Sequence, residues 1–274
     1  MGTVTSQRTS QRTSQGTARA LTPGERDAYL DRIGATAPSE PSSTALAALQ
    51  LAHLTSVPFE NLDVARGHRF GLGVDDLVAK VVTDRRGGYC YELNGLFALL
   101  LESLGFEVAL HGARVSRGDG RWGHERDHLT LRVSSGAMAG PELVDVGFGD
   151  AWIAPLPLRD GFSRVERQKT VALERFDGGW LYVEGDGTRS DPQFAFTEDP
   201  LSLADFEEMN VWQQTSPDSH FTRRRVCSLL TRDGRITIAG DRLIETGADG
   251  RTESVLDAVD VPSVLRERFG VDLT

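Results

Sequence analysis

Cysteine is nearly absent from this 274-residue chain, which holds only Cys90 and Cys227. Two thiols build no disulfide framework, so a reducing, cytoplasmic setting is expected. No apolar run approaches the roughly 18 residues that a membrane-crossing helix needs. The first residues have no apolar core of a secretory signal, so neither a membrane partner nor export is expected. Positive charge is in deficit: 30 Lys and Arg stand against 40 Asp and Glu, a net charge of −10. A general nucleic-acid binder needs a basic face, and this balance argues against one. There is no P-loop and no Cys/His cluster at metal-ligand spacing, so no metal is expected.

What the chain does contain is enough apolar sequence to fold. Hydrophobic residues make up 39% and charged residues 26%, the balance of a globular protein, and the length allows one large domain or two to three small ones. Residues 5–16 read TSQR-TSQR-TSQG, a polar repeat that predicts a disordered tail. Met1-Gly2 with Ser6 formally fits a myristoylation pattern. Folded sequence is expected from Leu21, with Pro23 opening a helix through Tyr29 and Ile33. Ser43 or Thr44 should cap a second helix, with Leu46, Leu49 and Leu54 inside, and Asp75–Val82 should form a third.

The organising stretch is DRRGGYCYELNGLFALLLESLG, residues 84–105. Leu93, Leu96, Phe97, Leu100, Leu101 and Leu104 recur at helical spacing, which predicts a helix buried on one side and stopped at Gly105. Cys90 stands where the glycine loop becomes that helix. Free N–H groups and the dipole at a helix N-terminus favour a thiolate, so Cys90 is a candidate nucleophile. The alternative is a small buried apolar residue, the common fate of a free cysteine.

Beyond Gly105 the apolar period shortens. Strands are expected at 106–116, 129–133, 142–146, 171–175 and 180–184, the last two flanking the turn Asp177-Gly178-Gly179. A helical stripe covers 201–211, strands return at 225–230, 235–239 and 242–245, and a helix spans 261–269 with Gly270 as its stop. Helices first and strands afterwards make this an α+β chain rather than an alternating one.

A cysteine nucleophile needs a base, and the base needs an orienting group. His128 opens an alternating segment in which Leu129, Leu131 and Val133 share one face and His128 starts the other. Asp145 has Val144 and Val146 as neighbours and points opposite to them. Neighbouring antiparallel strands would set His128 and Asp145 side by side. Asp127 and Asp150 compete for the orienting role.

Three motifs then resemble the arylamine N-acetyltransferase family. They are Val57-Pro58-Phe59-Glu60-Asn61-Leu62; Arg85-Arg86-Gly87-Gly88-Tyr89-Cys90 with Glu92-Leu93-Asn94; and Asp145-Val146-Gly147-Phe148-Gly149. His128-Leu129 and the segment Gln214-Thr215-Ser216-Pro217 with Ser219 and Phe221 extend the likeness over about residues 24–270. The resemblance implies a Cys90–His128–Asp145 triad in a cysteine-protease-like α+β fold. After a tail at 1–20, a helical bundle at 21–105 would carry the nucleophile. A β-barrel at 106–205 would carry His and Asp, and an α/β lid would follow at 206–274. It implies acetyl-CoA as co-substrate, a cysteine thioester, and arylamine, arylhydrazine or arylhydroxylamine acceptors. Phe59 and Phe148 are implied at the acyl pocket, Gly147, Thr215 and Ser216 near CoA, and a Glu60–Arg86 pair bracing the Cys90 loop. Two alternatives share the triad: an amide synthase that closes a macrolactam from a carrier-bound polyketide, and a cysteine hydrolase. The acceptor and the oligomeric state are not encoded in any motif.

Overall fold

The computed structural model describes residues 19–150, 152–186 and 188–273; the repeat tail and the Met1-Gly2 pattern lie outside them. Helix α1 (Pro23–Ile33) starts on a reciprocal cap, in which Glu25 N–H donates to Thr22 Oγ1 and Thr22 N–H to Glu25 Oε2, and it ends at Gly34 with φ 66°. Helix α2 (Ser43–Ser56) is capped one residue earlier than expected, by Ser42, whose hydroxyl accepts Ala45 N–H. Strand β1 (Phe59–Glu60) and the single turns α3 (Leu62–Ala65) and α4 (Val74–Leu77) follow. The helix expected through Val82 instead widens into a π-helical turn at Val78–Thr83.

Helix α5 (Cys90–Ser103) begins at the cysteine, and Gly105 follows its end with φ 89°. The expectation of one buried side is too modest. Every residue from Cys90 to Leu101 is buried. The reason is that α1, α4 and the turn Leu203–Phe206 cover one side while strands cover the other. Those strands are β2 (Glu107–Val115) and β3 (His128–Ser134), neighbours in one antiparallel sheet.

The sheet continues with β4 (Glu142–Val144), β5 (Leu156–Pro157), β6 (Phe162–Glu166), β7 (Lys169–Phe176), β8 (Gly179–Gly185) and β9 (Ser190–Phe196), in the order β5-β4-β3-β2-β9-β8-β7-β6. The β7–β8 turn puts Asp177 at φ 49° and Gly178 at φ 77°, the left-handed pair of a two-residue hairpin. Its edge strands, β5 and β6, are separated in the chain only by residues 158–161, so the two edges lie close and the sheet nearly closes. Side chains bridge the seam. Glu166 accepts the N–H of Ile153 and Ala154, and Arg164 donates to the carbonyls of Ala154 and Pro155. Trp152, Leu156, Leu173, Trp180, Tyr182 and Phe194 fill the interior.

The last part holds α6 (Glu207–Thr215), α7 (His220–Arg223), β10 (Val226–Leu230), β11 (Arg235–Ala239), β12 (Arg242–Gly247), β13 (Gly250–Val255) and α8 (Val261–Phe269). A second sheet, β1-β10-β11-β12-β13, draws in β1 from the helical region. The expected boundary at 205/206 cuts a continuous helical segment. Leu203 and Phe206 belong to the core around α5, whereas Cys227, Ile236, Ile238, Leu265 and Phe269 form the core of the second sheet.

Candidate active site

Strand β3 has two working faces. Leu129, Leu131 and Val133 pack into the α5 core. His128, on the alternate face, meets the barrel aromatics Phe148 and Phe194 with ring centroids 5.0 and 5.1 Å away. In the β3–β4 ladder Leu131 pairs with Val144, so Asp145, one residue beyond β4, falls on the His128 side. His128 Nε2 lies 2.6 Å from Asp145 Oδ2, and both side chains are buried.

Asp145 is itself held on three sides. Its Oδ1 accepts Asn94 Nδ2–H at 2.9 Å and Gly147 N–H at 2.8 Å, while Oδ2 serves the imidazole. Asn94 lies one helical turn after Cys90 and also takes Val146 N–H at 2.8 Å and donates to Leu129 O at 2.7 Å. It therefore ties the Cys90 helix to both the His and the Asp strands. A polar residue among leucines, four positions after Cys90 and on the same helix face, was the only local sign of this role.

The docking of α5 onto the turn after β4 depends on Gly147. A Cβ there would sit 2.7 Å from Cys90 Cα and 2.9 Å from Asn94 Nδ2. This close packing is the role the geometry gives Gly147. Cys90 thus meets His128, whose Nε2 is engaged by Asp145. Burial alone would lower the His128 pKa, but the Asp145 carboxylate and the bond to Cys90 lift it to about 10.

Of the competing carboxylates, Asp127 accepts Gln213 Nε2–H at 2.9 Å and faces Arg117, and Asp150 pairs with Arg235 at 3.0 Å. Asp145 is the one bonded to the imidazole. Tyr91 reaches the same strand, donating to Arg126 O at 2.8 Å just ahead of His128. Glu60 and Arg86 form the expected brace at 2.7 Å. Cys227 is fully buried in β10, where burial pushes its thiol pKa up.

Cys90 and His128 open into a cavity of about 780 Å³, also lined by Phe59, Gly147, Phe148, Gly149, Trp212 and Phe221. That volume suits a small organic ligand. Thr215 and Ser216 are not on its wall. Thr215 closes α6 exposed to solvent, and Ser216 Oγ takes Asp218 N–H at 3.1 Å in the following turn. The preceding turn of α6 instead turns Trp212 and Gln213 to the cavity.

The N-acetyltransferase family model matches residues 43–274. The arylamine N-acetyltransferase of Mycolicibacterium smegmatis is 35% identical over 251 residues, covering 89% of this chain and 91% of that protein. The chain belongs to the arylamine N-acetyltransferase family. Human arylamine N-acetyltransferase 1 is more distant, at 28% identity over 90% of this chain and 94% of its own. Among solved structures, the Mycobacterium marinum arylamine N-acetyltransferase in complex with CoA superposes with a TM-score of 0.84 at 31% identity, over 89% of this chain and 92% of that one. The arylamine N-acetyltransferase fold of helices, nearly closed barrel and second sheet is therefore shared along the described chain. Among the described residues no helix is long and apolar enough to cross a membrane.

Proposed function

We propose that this arylamine N-acetyltransferase carries the acetyl group of acetyl-CoA on Cys90 and delivers it to an aromatic amine, hydrazine or hydroxylamine. The observation that carries the reading is the buried 2.6 Å His128–Asp145 contact beside a cysteine at a helix N-terminus, on the floor of an aromatic cavity. His128 takes the thiol proton, and the sulfur attacks the thioester carbonyl. The carbon–sulfur bond to CoA breaks, and CoA leaves with the proton returned by His128. The amine then attacks the Cys90 thioester, His128 receives the nitrogen's proton, and the amide departs as the thiol re-forms. Both half-reactions pass through a tetrahedral oxyanion, for which the first N–H groups of α5 are suited donors because they lack intrahelical partners. Asp145 holds the imidazole in one tautomer and balances the charge it acquires. Phe59 and Phe148 supply apolar, edge-rich walls for an aryl ring. The two free thiols fit work in a reducing cytoplasm.

The test is CoA release from acetyl-CoA with and without an arylamine, in wild type and Cys90→Ala. Amine-dependent release that vanishes in the variant is expected. Rapid release without amine would instead indicate a hydrolase, and no release with an alkylatable Cys90 would point to a carrier-bound acyl donor.

A further inference from the structure

Glu92 lies two residues beyond Cys90 and so about 200° around α5, away from the His128 side. There a second set of charges is buried. The π-helical turn at Val78–Thr83 presents Lys80, whose Nζ is 2.7 Å from Glu92 Oε1 and 2.8 Å from Asp63 Oδ2. The lysine side chain is 13% exposed and that of Glu92 2%. Phe70 covers the ammonium, 4.3 Å from its ring centroid. The second oxygen of Glu92 accepts Tyr89 N–H at 3.1 Å, directly before the nucleophile.

The same turn holds the loop a second way. Lys80 O accepts Arg86 N–H at 3.0 Å, and the Arg86 guanidinium bonds Glu60 at 2.7 Å and Asp63 at 3.0 Å. Three carboxylates therefore share two cations, and Tyr89 and Arg86 both belong to the loop that delivers Cys90. The loop is pressed against this network: a Cβ on Gly88 would lie 2.8 Å from Glu92 Oε2. Burial opposes the Lys80 charge, but Glu92, Glu60 and Asp63 together hold it protonated. Burial also pushes the Glu92 carboxyl up to about 7, against the pull of Lys80 and of the Tyr89 N–H. A π-turn is uncommon and often marks a functional position. Here it places a cation where the loop's buried acceptor needs one.

We propose that Lys80 is a positioning residue for the nucleophile: by pairing with Glu92 it holds the Tyr89–Cys90 peptide, and with it the thiol, in place against His128. The proposal rests on the reading of Cys90 as the acyl carrier, but the thiol can be tested directly.

In Lys80→Met, Glu92 loses its partner while Asp63 keeps Arg86. The rate of Cys90 alkylation by iodoacetamide at neutral pH and kcat for acetyl transfer should both fall, on the order of 10²-fold for a displaced reacting atom. The acceptor KM should stay unchanged, because no residue of the cavity wall is altered. Cys90→Ala serves as the alkylation blank. The double variant Lys80→Met/Glu92→Gln keeps an acceptor for Tyr89 N–H without a charge to balance, and should recover most of both rates. Wild-type rates in Lys80→Met overturn the proposal, as does a folded double variant that stays slow. Should Lys80→Met not fold, the double variant decides: folded and fast supports the proposal, slow or unfolded overturns it. Wild type that is alkylated at Cys90 yet transfers no acetyl group contradicts the acyl-carrier reading alone, and the alkylation rates still decide the role of Lys80.

Discussion

At the scale of residues, the geometry turns on a carboxylate whose two oxygens are both engaged. Asp145 gives one oxygen to His128 and the other to Asn94 and Gly147, so it can neither rotate nor serve another base. Asp145→Asn replaces an acceptor with a group that can present N–H to the ring, which would favour the wrong tautomer. It should lower kcat by roughly 10⁴-fold, as expected when an imidazole's orienting charge is removed, with the fold retained in circular dichroism. Asn94→Ala removes the acceptor of Val146 N–H as well as a donor to Asp145. Leaving that buried N–H unpaired should cost about 1–3 kcal/mol in urea unfolding, together with a loss of activity.

At the scale of elements, the site is the meeting of a helix end with a strand end, and Gly147 sets the distance between them. Gly147→Ala puts a methyl 2.7 Å from Cys90 Cα, against backbone that cannot step aside. Overpacking of this kind costs roughly 1–3 kcal/mol, and the shift of the sulfur should cost on the order of 10²-fold in kcat. Unfolding and steady-state assays on the same preparation separate the two effects. The elements legible in the sequence are those whose period carries the signal. The leucine spacing marks α5, and the alternation after His128 marks β3. Strands β1 and β5 are two residues long and have no period to detect. Strand β9 contains Pro192, which argues against a strand, and every residue of β13 is exposed, leaving no apolar alternation. The π-turn at Val78–Thr83 carries no sequence mark.

At the scale of the whole molecule, three regions converge on one cavity: Cys90 from the helices, His128 and Phe148 from the barrel, Trp212 and Phe221 from the segment that follows. The motifs point to Cys90, His128 and Asp145 as a candidate triad, but Asn94 and Gln213 act across long stretches of chain, where spacing is silent. Two buried histidines contribute opposite slopes to the dependence of stability on pH. His128 is raised to about 10, so its native state binds a proton more tightly than the unfolded chain. That stabilisation is complete below the ordinary histidine value near 6.5 and is lost as pH rises toward 10. His53, fully buried against Tyr29, is lowered to about 3 by burial first and by Arg32 second. It opposes folding increasingly as pH falls from 6.5 toward 3. Urea unfolding across pH should therefore give greatest stability near pH 6 to 7 from these two groups, and Asp145→Asn should flatten the alkaline fall.

The measurement that bears most directly on the central claim is the intact mass of the protein after acetyl-CoA is added without any amine. Wild type should gain one acetyl group, located on Cys90 by peptide mapping and released as N-acetylated product when an arylamine is added. Cys90→Ala should gain nothing. Wild-type protein that turns over acetyl-CoA and arylamine while never carrying the acetyl group would contradict the covalent mechanism.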